Sequence, residues 1–181
     1  YEDEKISISN VILNHTINCS GFIFKEIKSK RKIIKERIEQ YNVPFDKYNG
    51  IKEGADWIAN SGEIIKNNEI TVESTLAHSY AFCTDTIYNE TLIDKIRGID
   101  LLYHEATFKK DLVDRAKETG HSTTYEAATI AKKSAVKNLL IGHFSQRYKN
   151  LDDLLIEAKD TFKNTHLAES GLVLDFNKLP S

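Results

Sequence analysis

The chain has 181 residues, a formal net charge of -2 at pH 7, 40% hydrophobic and 29% charged residues. That length suits one domain with a real core, or a piece of a larger one. The near-balanced charge excludes a nucleic-acid partner held by overall basicity, so any such contact needs a local patch. No apolar run approaches the roughly 20 residues needed to cross a bilayer, and no signal-peptide pattern opens the chain. Two cysteines, Cys19 and Cys83, are too few for a disulfide framework, and the sequence reads as a reduced, cytoplasmic protein. Methionine is absent, an initiator included, which suggests that Tyr1 lies inside a longer natural sequence.

In chain order, Ile6 to Leu13 alternates in part and reads as a strand ending near His15, followed by a second strand at Gly21–Phe24. From Lys25 to Arg37 seven cationic side chains stand against Glu26 and Glu36, with Ile27, Ile33, Ile34 and Ile38 interleaved. The spacing predicts a cationic amphipathic helix stopped by Asn42-Val43-Pro44. Residues 25–60 are therefore expected to form an inserted basic arm and not a separate domain. Beyond it, Ser79–Cys83 reads as a strand ending at Asp85, Thr91–Arg97 as a short helix, and Ile99–Tyr103 as a strand ending at His104. Lys109–Glu118 reads as a helix closed by Gly120. Ser122 or Thr123 can cap the next helix, with Glu126 placed for a capping box. A buried strand at Val136–Ile141 leads to His143. A long helix at Leu151–Phe162 and a final strand at Gly171–Phe176 complete the pattern, which is that of a layered α/β protein.

The polar groups sharpen this reading. Asp85, His104, His121 and His143 fall after strands or at a helix entry, positions that gather on one edge of a layered sheet. Imidazole nitrogen and carboxylate oxygen suit zinc, and one aspartate can bridge two ions about 3.5–4 Å apart. Such a pair would activate water and clamp the oxygens of a phosphodiester. Each residue also has a bland reading: Asp85 as a helix cap, His121 with Glu105 as a structural pair pinning two loops. His78 and His166 read as surface residues, and Cys19 and Cys83 as small packing residues. Trp57 is expected at the base of the arm.

Five motifs taken together, His15-Thr16-Ile17-Asn18-Cys19-Ser20-Gly21-Phe22, Cys83-Thr84-Asp85-Thr86, His104-Glu105-Ala106-Thr107, Gly120-His121-Ser122-Thr123 and His143-Phe144-Ser145-Gln146-Arg147-Tyr148, resemble ribonuclease Z, the tRNA 3′-processing endonuclease of the metallo-β-lactamase fold. The resemblance covers nearly the whole chain. It implies the carboxy-terminal portion of an α/β, layered αββα sandwich, with two zinc ions in the complete site. His15 would bind one zinc, Asp85 would bridge both and His143 would bind the other. Glu105 and His121 would form a proton relay to the leaving 3′ oxygen. The partners implied are precursor tRNA and a second copy of the enzyme in a homodimer, with no membrane.

The family's His-x-His-x-Asp-His motif occurs nowhere in these residues. The chain is expected to lack several zinc ligands and the general-base aspartate, and to be inactive alone. The family's flexible tRNA-clamping arm falls where residues 25–60 stand here. Lys28, Lys30, Arg31, Lys32 and Lys35 are expected to neutralise phosphates, and Arg147 to contact phosphate or brace the loop beside His143. Val43-Pro44-Phe45 lacks the Gly-Pro pair of that arm. Two other readings stay open: a non-catalytic tRNA-binding or dimerisation module, and another phosphodiesterase of the same fold acting on small esters.

Overall fold

A computed structural model describes residues 1–180. They divide into two compact units, one of Tyr1–Glu26 with the chain from His78 onward, the other of Ile27–Ala77.

The first unit is built on one sheet of six strands: β1 (Ile6–Leu13), β2 (Cys19–Glu26), β3 (Ser79–Cys83), β4 (Leu101–Glu105), β5 (Asn138–Gly142) and β6 (Thr165–Leu167). They lie side by side in chain order. β1, β2 and β3 pair antiparallel, and β3 through β6 pair parallel. Parallel neighbours need crossovers. These are supplied by helices α1 (Leu92–Lys95), α2 (Val113–Thr119), α3 (Thr124–Lys133) and α4 (Asp152–Thr161). Strand β5, flanked by β4 and β6, is buried along its whole length, which explains its unbroken Leu139-Leu140-Ile141.

Period-two alternation sorts the sheet into two faces. Ala81, Cys83, Leu102, Leu139 and Ile141 pack with Ala127, Ile130 and Ala131 of α3 and Ala158 of α4 in one core. The alanines let the helices approach the sheet closely. Cys83 is fully buried there, which pushes its thiol up to about 12 and leaves it a packing residue. On the opposite face Phe24 stacks on Tyr80 and Phe82 on Tyr103, at ring separations of 6.0 and 4.6 Å. In a four-layer sandwich this is the face that meets the second sheet. Among the described residues of this unit there is one sheet, with helices packed on one face.

The unit Ile27–Ala77 has a hydrophobic cluster of its own, Ile38, Val43, Ile51, Ile65 and Ile70, with Trp57 and Tyr48 against it. The amphipathic helix expected over 25–37 does not form. β2 runs on to Glu26, Lys32–Ile33 pairs with Thr71–Val72, and only Lys35–Gln40 is helical. Non-local partners decide this. Arg31 N–H donates to Lys52 O and Ile34 N–H to Ile70 O, so the backbone is engaged before a helix could claim it. The unit also runs past the expected boundary at 60, because Ile65 and Ile70 complete its core.

Two further expectations fail. No strand forms over Gly171–Phe176; the last strand is Thr165–Leu167, paired with Leu139–Ile141. Leu172, Leu174 and Phe176 instead line a cavity of about 320 Å³ with Tyr80, Leu101 and Leu140, so their apolar character covers the sheet and does not extend it. His166 is not a surface residue: it sits half-buried in β6, its Nε2 3.4 Å from Asn138 Oδ1.

Candidate metal centre

The site begins with two unusual backbone positions. Asp85, just past β3, has φ 53°, and His143, directly after β5, has φ 60°. A left-handed conformation costs an L-residue roughly 1–2 kcal/mol, least for short polar side chains. Both residues therefore accept strain where the strands end, and the result is a junction of their side chains. His143 Nε2 stands 3.4 Å from Asp85 Oδ1.

Three imidazoles line up beside this pair. The ring centroids of His15 and His121 are 5.2 Å apart, and those of His121 and His143 are 5.1 Å apart. Each Nδ1 is engaged behind the ring. His15 Nδ1 meets Gly120 O at 2.8 Å, His121 Nδ1 meets Glu105 Oε1 at 2.8 Å, and His143 Nδ1 meets Thr107 Oγ1 at 2.9 Å. A carbonyl oxygen and a carboxylate only accept, so His15 and His121 carry their protons on Nδ1 and present Nε2 as a bare lone pair. Such second-layer partners orient metal-binding histidines.

Gly120 makes the His15 contact possible. It caps α2 with φ 80°, and a Cβ there would lie 2.5 Å from His15 Nδ1. Thr123 then starts α3 with a capping box to Glu126, so Thr123 is the cap. Ser122 turns elsewhere: its hydroxyl donates to Thr86 O at 2.6 Å and its N–H to Glu105.

Glu105, at the end of β4, is fully buried. Oε1 accepts Thr86 N–H (2.9 Å) and His121 Nδ1–H; Oε2 accepts Ser122 N–H (3.1 Å) and the Thr107 hydroxyl (2.7 Å). This ring of donors compensates the cost of burying the carboxylate.

Asp85, Glu105, His121 and His143 each place a ligand atom within 4.8 Å of the others, a group that could hold a metal ion. Glu105 differs in kind, since its lone pairs are already occupied by donors. The free donors are the Asp85 carboxylate and the imidazole Nε2 atoms. Their fit to an ion can be tested on one distance. Two ligands of a tetrahedral ion with bonds of about 2.0–2.1 Å stand about 3.4 Å apart, the observed Asp85–His143 separation. The donor set fits.

His104, expected at this edge, lies elsewhere. It is inside β4, on the face of Leu102, fully buried, with Nδ1 2.7 Å from Glu105 O. Burial pulls its pKa down, so it is a neutral core residue. Arg147 folds over the Phe108 ring at 5.0 Å, with its Nε donating to Ser145 Oγ at 3.2 Å. In the second unit most of the cations expected to bind substrate are paired: Lys28 and Arg31 with Glu73, Lys30 with Glu53, and Lys35 with Glu39. Among the described residues Lys32 makes no ion pair. Lys30, Arg31, Lys32 and Lys52 line one open depression with Tyr48 and Asn49. Thr86 and Thr107 are the functional residues that the sequence reading passes over, because nothing along the chain shows that Glu105 is buried and needs donors around it.

No family model matches the chain. A protein named Ribonuclease Z from Bacteroides thetaiotaomicron is 43% identical over 177 residues, 98% of this chain and 56% of that protein. The relatives are ribonucleases Z. That of Porphyromonas gingivalis is 42% identical over 175 residues, 97% of this chain and 58% of the relative. The resemblance read from the five motifs thus extends over nearly the whole sequence, and the chain spans a little over half the length of the curated relatives it matches. Among solved structures, the long form of RNase Z from yeast superposes with a TM-score of 0.63 at 21% identity, over 99% of this chain and 19% of that one. Human tRNase Z, short form, gives 0.58 at 24%, over 97% and 45%. The metallo-beta-lactamase fold protein YhfI from Bacillus subtilis gives 0.60 at 19%, over 94% and 50%. The fold is that of the metallo-β-lactamases.

Proposed function

We propose that this chain carries part of the active site of a zinc-dependent endoribonuclease that removes the 3′ trailer from precursor tRNA. The observation that carries the reading is the row of three imidazoles, each engaged at Nδ1, of which His121 and His143 place ligand atoms within 4.8 Å of Asp85. His15 and His143 would each hold one of two zinc ions and Asp85 would bridge them. The bound metal supplies activation of water and neutralisation of charge on the phosphodiester.

His121 is the group for the leaving 3′ oxygen. Its Nδ1–H is fixed on Glu105, so Nε2 is the atom that would take up a proton from water and pass it to the leaving oxygen, with Glu105 stabilising the imidazolium in between. A cavity of about 280 Å³ lies beside His121, lined by Ile87, Tyr88, Val113 and Lys117, with room for the departing nucleoside. In Ile27–Ala77 the depression bearing Lys30, Arg31, Lys32 and Lys52 is suited to backbone phosphates. The partner carboxylates Glu53 and Glu73 are exposed and screened by solvent, so phosphate can displace them. Arg147 would brace the loop after His143 through Phe108. We assign the complete enzyme to the cytoplasm as a homodimer.

The family's His-x-His-x-Asp-His motif is not in this sequence, so the chain alone should be inactive. The test is cleavage of a 3′-extended precursor tRNA with zinc or manganese, by this chain alone and after joining it to the amino-terminal part of the Bacteroides thetaiotaomicron relative. Cleavage by the joined protein only is the expected result. Metal-independent tRNA binding with no cleavage in either would favour the binding module. Turnover of bis(p-nitrophenyl) phosphate without tRNA cleavage would favour a small-ester hydrolase.

A further inference from the structure

We infer that Thr107 is a positioning residue that fixes the tautomer of His143, and that through it Glu105 sets the proton positions of two histidines at once. The inference deepens the reading of His143 as a metal ligand and rests on it.

One hydroxyl with one proton faces three neighbours. Thr107 Oγ1 lies within hydrogen-bonding distance of three groups: Glu105 Oε2 at 2.7 Å, His143 O at 2.9 Å and His143 Nδ1 at 2.9 Å. It has one proton to donate. The two oxygens can only accept, whereas Nδ1 can either donate or accept. Giving the proton to Nδ1 would leave Thr107 Oγ1 facing a buried carboxylate oxygen at 2.7 Å with no hydrogen between them. That contact is repulsive in a site shielded from water. The proton therefore goes to the oxygens, Glu105 Oε2 as the shorter contact or His143 O, and in either case Oγ1 becomes an acceptor toward His143 Nδ1. Nδ1 must then carry the imidazole proton, and Nε2 is left bare toward Asp85.

Glu105 cannot escape this demand by turning. Its other lone pairs are held by Thr86 N–H, Ser122 N–H and His121 Nδ1–H. One buried carboxylate thus orders His121 directly and His143 at one remove. Thr107 is itself buried, so water cannot take over its contact with Glu105. A hydroxyl is required at this position; a methyl of the same shape breaks the chain.

The test uses the full 181-residue chain without metal, with ring-nitrogen NMR of His143 at a pH above the usual imidazole range. The unmodified protein should show the Nδ1–H tautomer. Thr107→Ser should keep it, and Thr107→Val should lose it. Zinc affinity, measured by chelator competition, should fall roughly 10–100-fold in Thr107→Val and recover in Thr107→Ser. An Nε2–H tautomer in the unmodified chain overturns the inference without any variant having to fold. So does a Thr107→Val chain with unchanged tautomer and affinity. Neither readout involves tRNA, so failure of the cleavage experiment would sink the endoribonuclease reading and leave this result standing.

Discussion

His143 Nε2 stands 3.4 Å from Asp85 Oδ1, and both residues have positive φ. The chain leaves β3 and β5 in a left-handed turn at the same end of the sheet, and strained backbone of this kind gathers at functional sites. The strain is offset by the core beneath, where Cys83, Leu102 and Ile141 are fully buried.

Asp85→Asn tests that junction. The amide keeps the shape and loses the charge. Zinc affinity should drop by more than the roughly 10–100-fold that loss of a supporting partner costs. Chelator competition measures it, and an unchanged affinity removes Asp85 from the centre.

Glu105→Gln should destabilise the fold itself. The amide NH₂ must face either Thr86 N–H with His121, or Ser122 N–H with Thr107, and each arrangement sets donor against donor. A loss of about 2–3 kcal/mol is expected, read from the urea midpoint at constant slope. A loss below about 0.5 kcal/mol would show that the cage is not rigid.

Gly120→Ala separates two penalties. Its Cβ would meet His15 Nδ1 at 2.5 Å, and φ is 80°. Gly98 has φ 69° with nothing within 4 Å of such a Cβ. Gly98→Ala should cost only backbone strain, about 1–2 kcal/mol. Gly120→Ala should cost more, and its His15 ring resonances should move while those of Gly98→Ala stay. Equal costs for the two variants would mean that His15 yields freely.

Asp100 gives a pH signature. Burial pushes its carboxyl up, but Lys137 at 2.7 Å and the Ser79 hydroxyl and N–H outweigh it, and the pKa lies below the ordinary value. A carboxylate with a depressed folded pKa contributes stability above its unfolded value, near 4, and loses it as pH falls through the folded one. Asp100→Asn should therefore cost about 1 kcal/mol at neutral pH and nothing once both forms are protonated. Urea unfolding at a series of pH values checks this; a difference that persists at the acid end would assign the effect to packing.

Much of this protein was legible in its residues. Local patterns determined the elements that carry their own signal: the strand at Ser79–Cys83, the Gly120 helix stop, the Thr123–Glu126 capping box and the buried run before His143. The five motifs carried the fold and its ribonuclease Z relatives, because the site is assembled from strand ends whose chemistry stays visible in the chain. Tertiary structure decided what depends on distant partners. Lys25–Arg37 has a helical period, yet Lys52, Ile70 and Thr71–Val72 hold that stretch in other conformations. Leu172, Leu174 and Phe176 look like a strand and instead cover a sheet face. His104 and His121 are equally plausible ligands in sequence, and only the direction of β4 sends one into the core and leaves the other at the site. Thr107 shows the limit most clearly. Nothing in its neighbours along the chain tells which way its one proton points; that is determined by a carboxylate two residues away, whose other lone pairs are filled by residues 86, 121 and 122.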